Sequence, residues 1–288
     1  EEDFIQKETS FMIHKVLHDM DEPYKEVFEL IQKYGFEGIE LAPPKLFKDL
    51  SNVTNSQINE YLEYMKPYNF KFPAMQSLLF GKPELKIFDD SRNDTLVYLK
   101  KIIDLAQKLD VKVLVFGSPK NRFIGDMDKT EAKKIAIDFF RELGDYAHSK
   151  DRCFCIEPNA TEYGCDFITN TDEAIELVKD VNSKGFRLHI DSAVMAMNDE
   201  NIEENLKKAL PYTEHFHISE PFLELITNNK TNHEEFAKTL KSLNYDKWVS
   251  IEMKNGVMNS NVEAVKNSLE FIEFCSKLNF KFLSSCSF

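Results

Sequence analysis

Residues 187–220 read RLHIDSAVMAMNDENIEENLKKALPYTEHFHISE and contain two short apolar runs with a longer amphipathic segment between them. The first run ends at Asp191, and the second ends near His217. Short apolar runs that alternate with amphipathic segments predict parallel strands joined by crossover helices. Because parallel strands of one sheet end at the same edge, this stretch predicts that a carboxylate and an imidazole meet there.

The same pattern continues on both sides of this stretch. An upstream run, CFCIE, ends at Glu157, and a downstream run, VSIEM, carries Glu252 near its end. The four ionisable residues are separated by 34, 26 and 35 residues, and each interval is about the length of one strand–helix unit. In a barrel, four consecutive strands would bring these residues to one rim, the carboxyl-terminal face on which barrel enzymes hold their chemistry.

Eight apolar runs of this kind occur in the chain of 288 residues, a normal length for a barrel that typically needs roughly 250 residues. No linker rich in Pro, Gly or Ser divides the chain. We therefore predict the α/β class and a single (β/α)₈ TIM-barrel domain over residues 1–288, with terminal extensions of about 1–9 and 279–288. The predicted strands are Phe11–Val16, Gly38–Ala42, Phe70–Met75, Val111–Phe116, Cys153–Glu157, Arg187–Asp191, His215–Ile218 and Val249–Met253.

Helix boundaries support the same alternation. Pro23 is predicted to open a helix that stops at Gly35, since proline suits a first helical position and glycine a position just past the end. After three predicted strands, a polar capping residue is followed three residues later by Glu, which is typical of a helix start. These pairs are Asn170–Glu173, Thr231–Glu234 and Ser260–Glu263.

The four strand-end residues predict a metal site. Three carboxylates and one imidazole on one rim would repel one another without a cation. Mixed oxygen and nitrogen ligands suit Mn²⁺ or Mg²⁺ best here, with Co²⁺ or Zn²⁺ as further options, and the lack of Cys argues against a structural zinc site. A single acid at a strand end is more often a helix cap or a solvated loop residue. Four consecutive strands with the same pattern favour the metal site.

Composition excludes several other classes of function. The net charge of −13 and the absence of a Lys/Arg run argue against a nucleic-acid partner. No apolar run approaches the ~18 residues of a membrane span, so we predict no membrane partner. Five Cys without a CxxC pair, and a start EEDFIQKETS that lacks the features of a signal peptide, predict a cytoplasmic protein. The sequence leaves open whether the protein forms a homo-oligomer.

Short motifs give a resemblance to a known family. The segments IEPN, HID, HFHISEP and SIEM resemble the metal-binding strand ends of the xylose isomerase-like superfamily of sugar isomerases and epimerases. GFEGIELAP at 35–43 and GSPKNR at 117–122 resemble its second and fourth strands. The resemblance covers roughly residues 10 to 275. It implies that Glu157, Asp191, His217 and Glu252 are the metal ligands, and that Glu157 and Glu252 are also the catalytic acid/base pair.

This resemblance implies a metal-dependent isomerase or epimerase that acts on a sugar, a keto-sugar or a sugar phosphate. The metal polarises a carbonyl and an adjacent hydroxyl, which acidifies the neighbouring C–H. One carboxylate removes that proton to give a metal-stabilised enediolate, and the opposite carboxylate returns a proton from the other face. The expected partner is therefore a small-molecule carbohydrate substrate.

Two positions depart from tagatose-type epimerases of the superfamily. These enzymes carry a His where this chain has Val194 and an Arg where it has Leu223, and both usually contact substrate, so free ketohexoses are in doubt as substrates. Two alternatives stay open: a lyase of the inosose dehydratase type, which expels a β-hydroxyl after the same proton abstraction, and a metal-binding barrel without catalysis.

Further residues are candidates for substrate contact. Lys120 and Arg122 follow the fourth strand and could bind a phosphate or carboxylate, or could be two surface cations of a solvated loop. Glu40 could contact substrate or support a neighbouring loop, and Gln76 is a weaker candidate for contact. His14 on the first strand is another weak candidate.

Four more polar residues lie close to predicted ligands in the sequence. His189 could contact substrate, support the metal ligands or be an interior histidine one layer below them, and His215 stands in the same relation to His217. Glu220 and Asn159 adjoin ligands and could orient them, and Glu220 could also contact substrate. Cys153 and Cys155 are predicted to fill the barrel interior. Phe80 could roof the pocket or contact a partner copy.

Overall fold

Eight parallel strands form a sheet in the order β2-β1-β8-β7-β6-β5-β4-β3. The structure, a computed structural model, describes residues 9–12 and 23–280, with side chains described from 25 to 273. Bridges Gly38↔Lys71 and Leu41↔Met75 connect the two edge strands of this order, so the strands curl into a barrel. The strands are β1 (Thr9–Met12), β2 (Gly38–Glu40), β3 (Ala74–Met75), β4 (Val113–Phe116), β5 (Cys153–Ile156), β6 (Phe186–Asp191), β7 (Thr213–Ser219) and β8 (Val249–Glu252).

Helices and short turns connect successive strands and cover the outside of the barrel. This arrangement confirms the predicted (β/α)₈ fold. The helices are α1 (Pro23–Lys33), α2 (Pro43–Leu46), α3 (Asn55–Met65), α4 (Arg92–Lys108), α5 (Lys129–Ser149), α6 (Thr171–Val181), α7 (Ser192–Met197), α8 (Ile202–Ala209), α9 (His233–Ser242) and α10 (Asn261–Phe280).

Six predicted strands match the observed ones to within two residues at either end, and the other two differ more. The third was predicted over Phe70–Met75, but its continuous ladder is only Ala74–Met75, because Pro73 has no N–H to donate and interrupts the pairing. The first strand is observed over Thr9–Met12. The rest of its predicted range, with His14, lies outside the described residues, as does the segment 281–288.

The predicted helix starts are mostly confirmed. Helix α1 begins at Pro23, and Gly35 follows its end with a φ of +77°, which glycine adopts without steric cost. Asn170 caps α6 and Ser260 caps α10. The start of α9 was predicted one residue too early, because Asn232 is its cap.

The main core lies between the strands and the outer helices. Phe140 of α5 packs against Phe116, Phe154 and Phe186 of the barrel wall, with the Phe140 and Phe186 rings stacked at 4.9 Å between centroids. Burying each such ring stabilises the fold by about 1.5–3 kcal/mol. Inside the barrel, a smaller cluster contains Ala74, Val113, Val115, Cys153 and Cys155. The two buried cysteines therefore pack, as the sequence predicts.

A bulge between β6 and β7 sets the direction of the site residues. The register pairs Leu188 with Thr213 but His189 with His215, so Glu214 is the extra residue in β7. Beyond the bulge, Asp191 pairs with His217. Inward-facing histidines of β7 therefore lie beside inward-facing residues of β6.

Among the described residues, no helix is both long enough and apolar enough to cross a bilayer.

Candidate metal centre and substrate cavity

The four strand-end residues predicted as metal ligands lie together at the carboxyl end of the barrel. Glu157, Asp191, His217 and Glu252 each offer a ligating atom, and these atoms all lie within 4.8 Å of one another. Asp191, His217 and Glu252 are buried, and the Glu157 side chain keeps 14 % exposure. Glu157 is therefore the member of the cluster that solvent reaches most easily.

The donor set fits a divalent ion. Three carboxylates and an imidazole within one small volume match the hard and borderline ligands that Mn²⁺, Mg²⁺, Co²⁺ and Zn²⁺ accept. Without a cation, the same arrangement places like charges together in a site that water reaches poorly. The geometry is thus that of a candidate metal centre.

Negative charge is unfavourable in the buried cluster, and the raised pKa values of two of its carboxyl groups show this. Burial, together with repulsion from Glu252 and Asp191, raises the pKa of Glu157 to about 8. Burial and the Glu252 carboxylate raise the pKa of Asp191 to about 6, although Ser219 and the Val194 N–H oppose the shift. A cation in the cluster would reverse these shifts by favouring the charged carboxylates.

Asp191 is held by two donors. The Ser219 hydroxyl donates to the Asp191 carboxylate, whose two oxygens both lie 2.7 Å away, and the Val194 N–H donates to Oδ1 at 3.0 Å. Asp191 thereby caps α7 while it faces the cluster. Ser219 was not predicted as a site residue, although its position two residues after His217 in a strand indicates that it shares the inward face.

His217 lies between two carboxylates. Its Nδ1 is 2.9 Å from Glu252 Oε2, and its Nε2 is 2.9 and 3.1 Å from the two oxygens of Glu40. Burial alone would lower the pKa of His217, but the charges of Glu40 and Glu252 outweigh it and raise the pKa well above its ordinary value. The ring orientation is therefore fixed from both sides.

Two further histidines form a layer beneath the cluster. His215 Nε2 is 3.1 Å from Glu40 and 2.9 Å from the Ser250 hydroxyl. His189 lies with its Nε2 3.5 Å from Glu157 Oε1, and within the described residues neither ring nitrogen has a hydrogen-bond partner. Burial and the neighbouring His217 hold the pKa of His189 well below its ordinary value, so the ring is neutral. His189 is thus an interior histidine one layer below the acids.

A cavity of about 500 Å³ opens beside Glu157. The loops after β3 and β4 form its walls, and Gln76 donates to Glu252 Oε1 at 3.0 Å from one of them. Phe80 stands at the wall with 59 % exposure. The lining residues are Gln76, Ser77, Leu79, Phe80, Gly81, Lys82, Pro83, Val115, Gly117, Ser118, Pro119, Lys120, Asn121 and Glu157.

Backbone conformation shapes both walls of the cavity. Ser77 and Ser118 have φ values of +58° and +45°, in the left-handed region that non-glycine residues rarely adopt. Gly117 precedes Ser118 and lies directly against Glu157. A Cβ at residue 117 would collide with the Glu157 carboxylate and lie 3.2 Å from Asn159 Oδ1. The loop after β4 therefore approaches Glu157 closely only because residue 117 is glycine.

Arg122 does not lie where the sequence analysis expected it. Its side chain is fully buried, so it is neither a surface cation nor a residue that faces the cavity. Its guanidinium donates to the backbone carbonyls of Glu157, Phe167 and Ile168 and to Asn159 Oδ1, at 2.8 to 3.3 Å. The loop sequence looked polar, but the chain turns this cation inward to fix the segment that carries Glu157.

Two acids proposed for substrate contact are also turned away from the cavity. Glu220 is buried and accepts from His233 Nε2 at 2.8 Å and from the N–H groups of Lys230 and Thr231. It anchors the loop after β7. Glu40 is buried with its oxygens on His215 and His217, so it supports the cluster. Of the substrate-contact candidates, Gln76 and Lys120 line the cavity.

The two departures from tagatose-type epimerases have clear positions. Val194 lies in α7, buried, with its N–H on Asp191. Leu223 adopts a φ of +55° in the loop after β7, where its carbonyl accepts from the Lys254 N–H at 2.9 Å. The preceding Phe222 also has a positive φ, and its N–H donates to the Tyr163 hydroxyl. Two hydrogen bonds of its backbone therefore connect this loop to the loops after β5 and β8.

The chain resembles curated and structurally known proteins over most of its length. It is 22% identical to a D-psicose 3-epimerase of Enterocloster bolteae over 247 residues, which cover 83% of this chain and 81% of the relative. The crystal structure of D-psicose 3-epimerase with D-tagatose from Clostridium cellulolyticum H10 has a TM-score of 0.75 at 17% identity, with 94% of this chain and 99% of that chain covered.

A second similar structure contains a metal. It is a xylose isomerase-like TIM-barrel protein from Mycobacterium smegmatis in complex with magnesium, with a TM-score of 0.66 at 17% identity and coverage of 94% of this chain and 97% of that chain. The model of the family described as xylose isomerase-like TIM barrel matches residues 28–275. The chain belongs to this xylose isomerase-like TIM-barrel family, as the strand-end motifs indicated.

Proposed function

We propose that this protein is a metal-dependent sugar isomerase or epimerase in which Glu157 and Glu252 transfer protons. The observation that carries the proposal is the convergence of Glu157, Asp191, His217 and Glu252 at the edge of a cavity large enough for a monosaccharide. A relative that interconverts sugar epimers, D-psicose 3-epimerase, supports the same class of reaction.

The proposed cofactor is one divalent cation held by the four clustered residues. When bound, it would polarise a substrate carbonyl and the adjacent hydroxyl, so that the C–H between them becomes acidic. The carboxylate majority favours Mn²⁺ or Mg²⁺ over Co²⁺ or Zn²⁺. The magnesium complex of a family member supports this preference.

The chain's own residues supply the proton transfer. Glu157 borders the cavity, so its carboxylate can reach a bound substrate and accept or return a proton there. Glu252 is the second carboxylate of the pair, and Gln76 positions it by donating to Oε1. Removal of a proton by one and its return by the other gives epimerisation, and return to the adjacent carbon gives isomerisation.

The substrate is proposed to differ from a free ketohexose. Val194 and Leu223 replace two polar residues that tagatose-type epimerases use for substrate, while Lys120 contributes a cation to the cavity wall. Lys82, also in the wall, lies 3.8 Å from Glu84, whereas no carboxylate within the described part of the chain pairs with Lys120. A sugar that carries a phosphate or carboxylate would use this cation. A cytoplasmic location and a homo-oligomer stay predictions from the sequence.

Solvent-exchange measurements test the proposal directly. Protein loaded with Mn²⁺ is incubated in D₂O with free ketoses, ketose phosphates and keto-sugar acids, and products are analysed by NMR and mass spectrometry. We expect an epimer or isomer with one deuterium at the reacting carbon and no reaction in the presence of chelator. Loss of water in the product would instead identify a dehydratase, and absence of exchange with every member of the metal-replete panel would contradict the proposal.

A further inference from the structure

Glu40 is a fully buried acid that takes no part in the proposed proton transfer. It lies at the end of β2, a strand that is not next to β5 or β6 in the sheet, and it does not line the cavity. A buried carboxylate is costly unless donors surround it, so its position requires an explanation. The explanation lies in the two histidines of β7, which both turn a ring nitrogen toward it.

The two nitrogens of His217 have different partners. Nδ1 lies 2.9 Å from Glu252, inside the set of candidate metal ligands, whereas Nε2 lies 2.9 and 3.1 Å from the Glu40 oxygens. Only a neutral imidazole nitrogen without a proton can bind a metal, so the proton must reside on the other nitrogen. An acceptor at Nε2 selects the tautomer that leaves Nδ1 open.

Glu40 is itself held in place by a second histidine. His215 Nε2 is 3.1 Å from Glu40 Oε2 and 2.9 Å from the hydroxyl of Ser250, which pairs with His217 in the ladder between β7 and β8. Glu40 Oε2 thus faces both rings, and Oε1 also faces His217, so the carboxylate accepts from the two histidines without presenting a donor of its own. The side chains of Glu40, His215 and His217 are all buried, so packing restricts the other conformations that they could adopt.

We propose that Glu40 is a positioning residue for the metal centre: it accepts a hydrogen bond from His217 Nε2–H and thereby presents His217 Nδ1 as the metal ligand. This inference rests on the proposed metal site, not on the identity of the substrate. Carboxylates that accept from the outer nitrogen of a ligating histidine typically contribute 10–100-fold in metal affinity. The same range is expected here.

The test compares Glu40→Gln with Glu220→Gln in the full-length chain. Both replace a fully buried glutamate near the carboxyl end of the barrel, and both remove a histidine partner, but Glu220 bonds His233, which is not near the metal cluster. Both variants therefore suffer a similar loss of buried hydrogen bonding. Only Glu40→Gln places a donor against His217 Nε2, because both Glu40 oxygens lie within 3.1 Å of this nitrogen and the amide NH₂ must take one of the two positions.

Metal affinity is measured by calorimetry with Mn²⁺ and by the visible spectrum with Co²⁺, alongside thermal melting of the metal-free variants. We expect Glu40→Gln to bind metal about 10–100-fold more weakly than wild type with an altered Co²⁺ spectrum, and Glu220→Gln to bind within about twofold. Equal affinity in Glu40→Gln, or an equal loss in Glu220→Gln, overturns the inference.

This readout also separates the inference from the proposed function. If the wild-type protein binds metal but epimerises no sugar, the proposed reaction is wrong while the comparison of Glu40→Gln and Glu220→Gln still decides the role of Glu40. If Glu40→Gln does not fold, Glu40→Asp supplies the test: a shorter carboxylate that restores the charge but not the reach should still weaken Mn²⁺ binding. Wild-type affinity in Glu40→Asp counts against a positional role.

Discussion

The two sides of the site are built in different ways. On the side of β5 to β8, each functional group lies on a strand or at its end, so the regular register of the barrel positions it. On the side of β3 and β4, the cavity wall consists of loops held in uncommon conformations, such as the left-handed Ser77 and Ser118. The strand side is therefore fixed by the barrel itself, whereas a wall made of loops can change without disturbing the barrel.

The largest expected effect comes from the strand side. Glu157→Gln keeps the size of the side chain but removes the proton-accepting charge, so we expect deuterium exchange into product to fall by about 10²–10⁴-fold. Parallel measurement of Mn²⁺ affinity separates a lost base from a lost metal. Exchange at the wild-type rate in metal-loaded Glu157→Gln would remove this residue from the mechanism.

The second effect tests whether the strand side depends on a loop residue. Arg122→Leu removes the guanidinium that donates to the Glu157 carbonyl and to Asn159 Oδ1. The carbonyls of Phe167 and Ile168 also lose a donor, but they keep the Cys165 thiol and the Asn159 N–H as partners. Unsatisfied buried acceptors cost about 1–3 kcal/mol each, so we expect a loss of about 3 kcal/mol in the free energy of unfolding. Urea denaturation measures it.

The matched control for Arg122→Leu is Lys120→Leu, two residues earlier in the same loop. Lys120 is exposed, so its substitution should change the free energy of unfolding by less than about 0.5 kcal/mol. A similar loss in both variants would show that the difference in burial between the two cations does not determine stability.

The sequence revealed the strand side of the site far better than the loop side. A strand has a period of two, so an apolar run that ends in Glu157 or Asp191 predicts both the face and the rim on which the acid lies. The motifs HFHISE and SIEM then supply His217 and Glu252 by the same rule. The resemblance to the family added roles that spacing alone does not give.

The loop side could not be predicted because its outcome depends on backbone angles and on tertiary contacts. The local sequence GSPKNR gives Lys120 and Arg122 the same appearance, yet one is exposed and the other is buried under Glu157. Similarly, Glu220 follows a strand as Asp191 does, but the amides of Lys230 and Thr231 turn it away from the cavity. Only the folded arrangement distinguishes such residues.

A third prediction concerns pH and again separates the charged cluster from its surroundings. In the metal-free protein, the pKa of Glu157 is raised to about 8, from an ordinary value of 4.5. Between these values the unfolded chain releases this proton while the folded protein retains it, so the metal-free protein loses stability as pH rises from about 5 to 8. Above the folded value the loss levels off.

Metal should reverse this trend because it favours the charged carboxylate. We therefore expect the stabilisation by saturating Mn²⁺ to be larger at pH 8 than at pH 5.5 by about 3 kcal/mol, since each pH unit in this range corresponds to about 1.4 kcal/mol. Thermal melting with Mn²⁺ and with chelator at both pH values measures the difference. In Glu157→Gln the pH dependence of the metal-free protein should be smaller, and an unchanged dependence would assign it to other groups.

The smallest expected effect belongs to the loop side and concerns Lys120. If Lys120 binds an anionic group of the substrate through its exposed ammonium, Lys120→Ala removes one charge-assisted contact in a site that water reaches, which is worth about 1 kcal/mol. We expect KM for a phosphorylated or carboxylated sugar to rise about fivefold, with kcat nearly unchanged, because the contact is as strong in the bound substrate as in the transition state. Lys82→Ala serves as the control, since Lys82 lines the same cavity but lies beside Glu84. An equal KM for charged and uncharged sugars in wild type, or an equal change in both variants, would show that the loop side selects substrate by shape and not by charge.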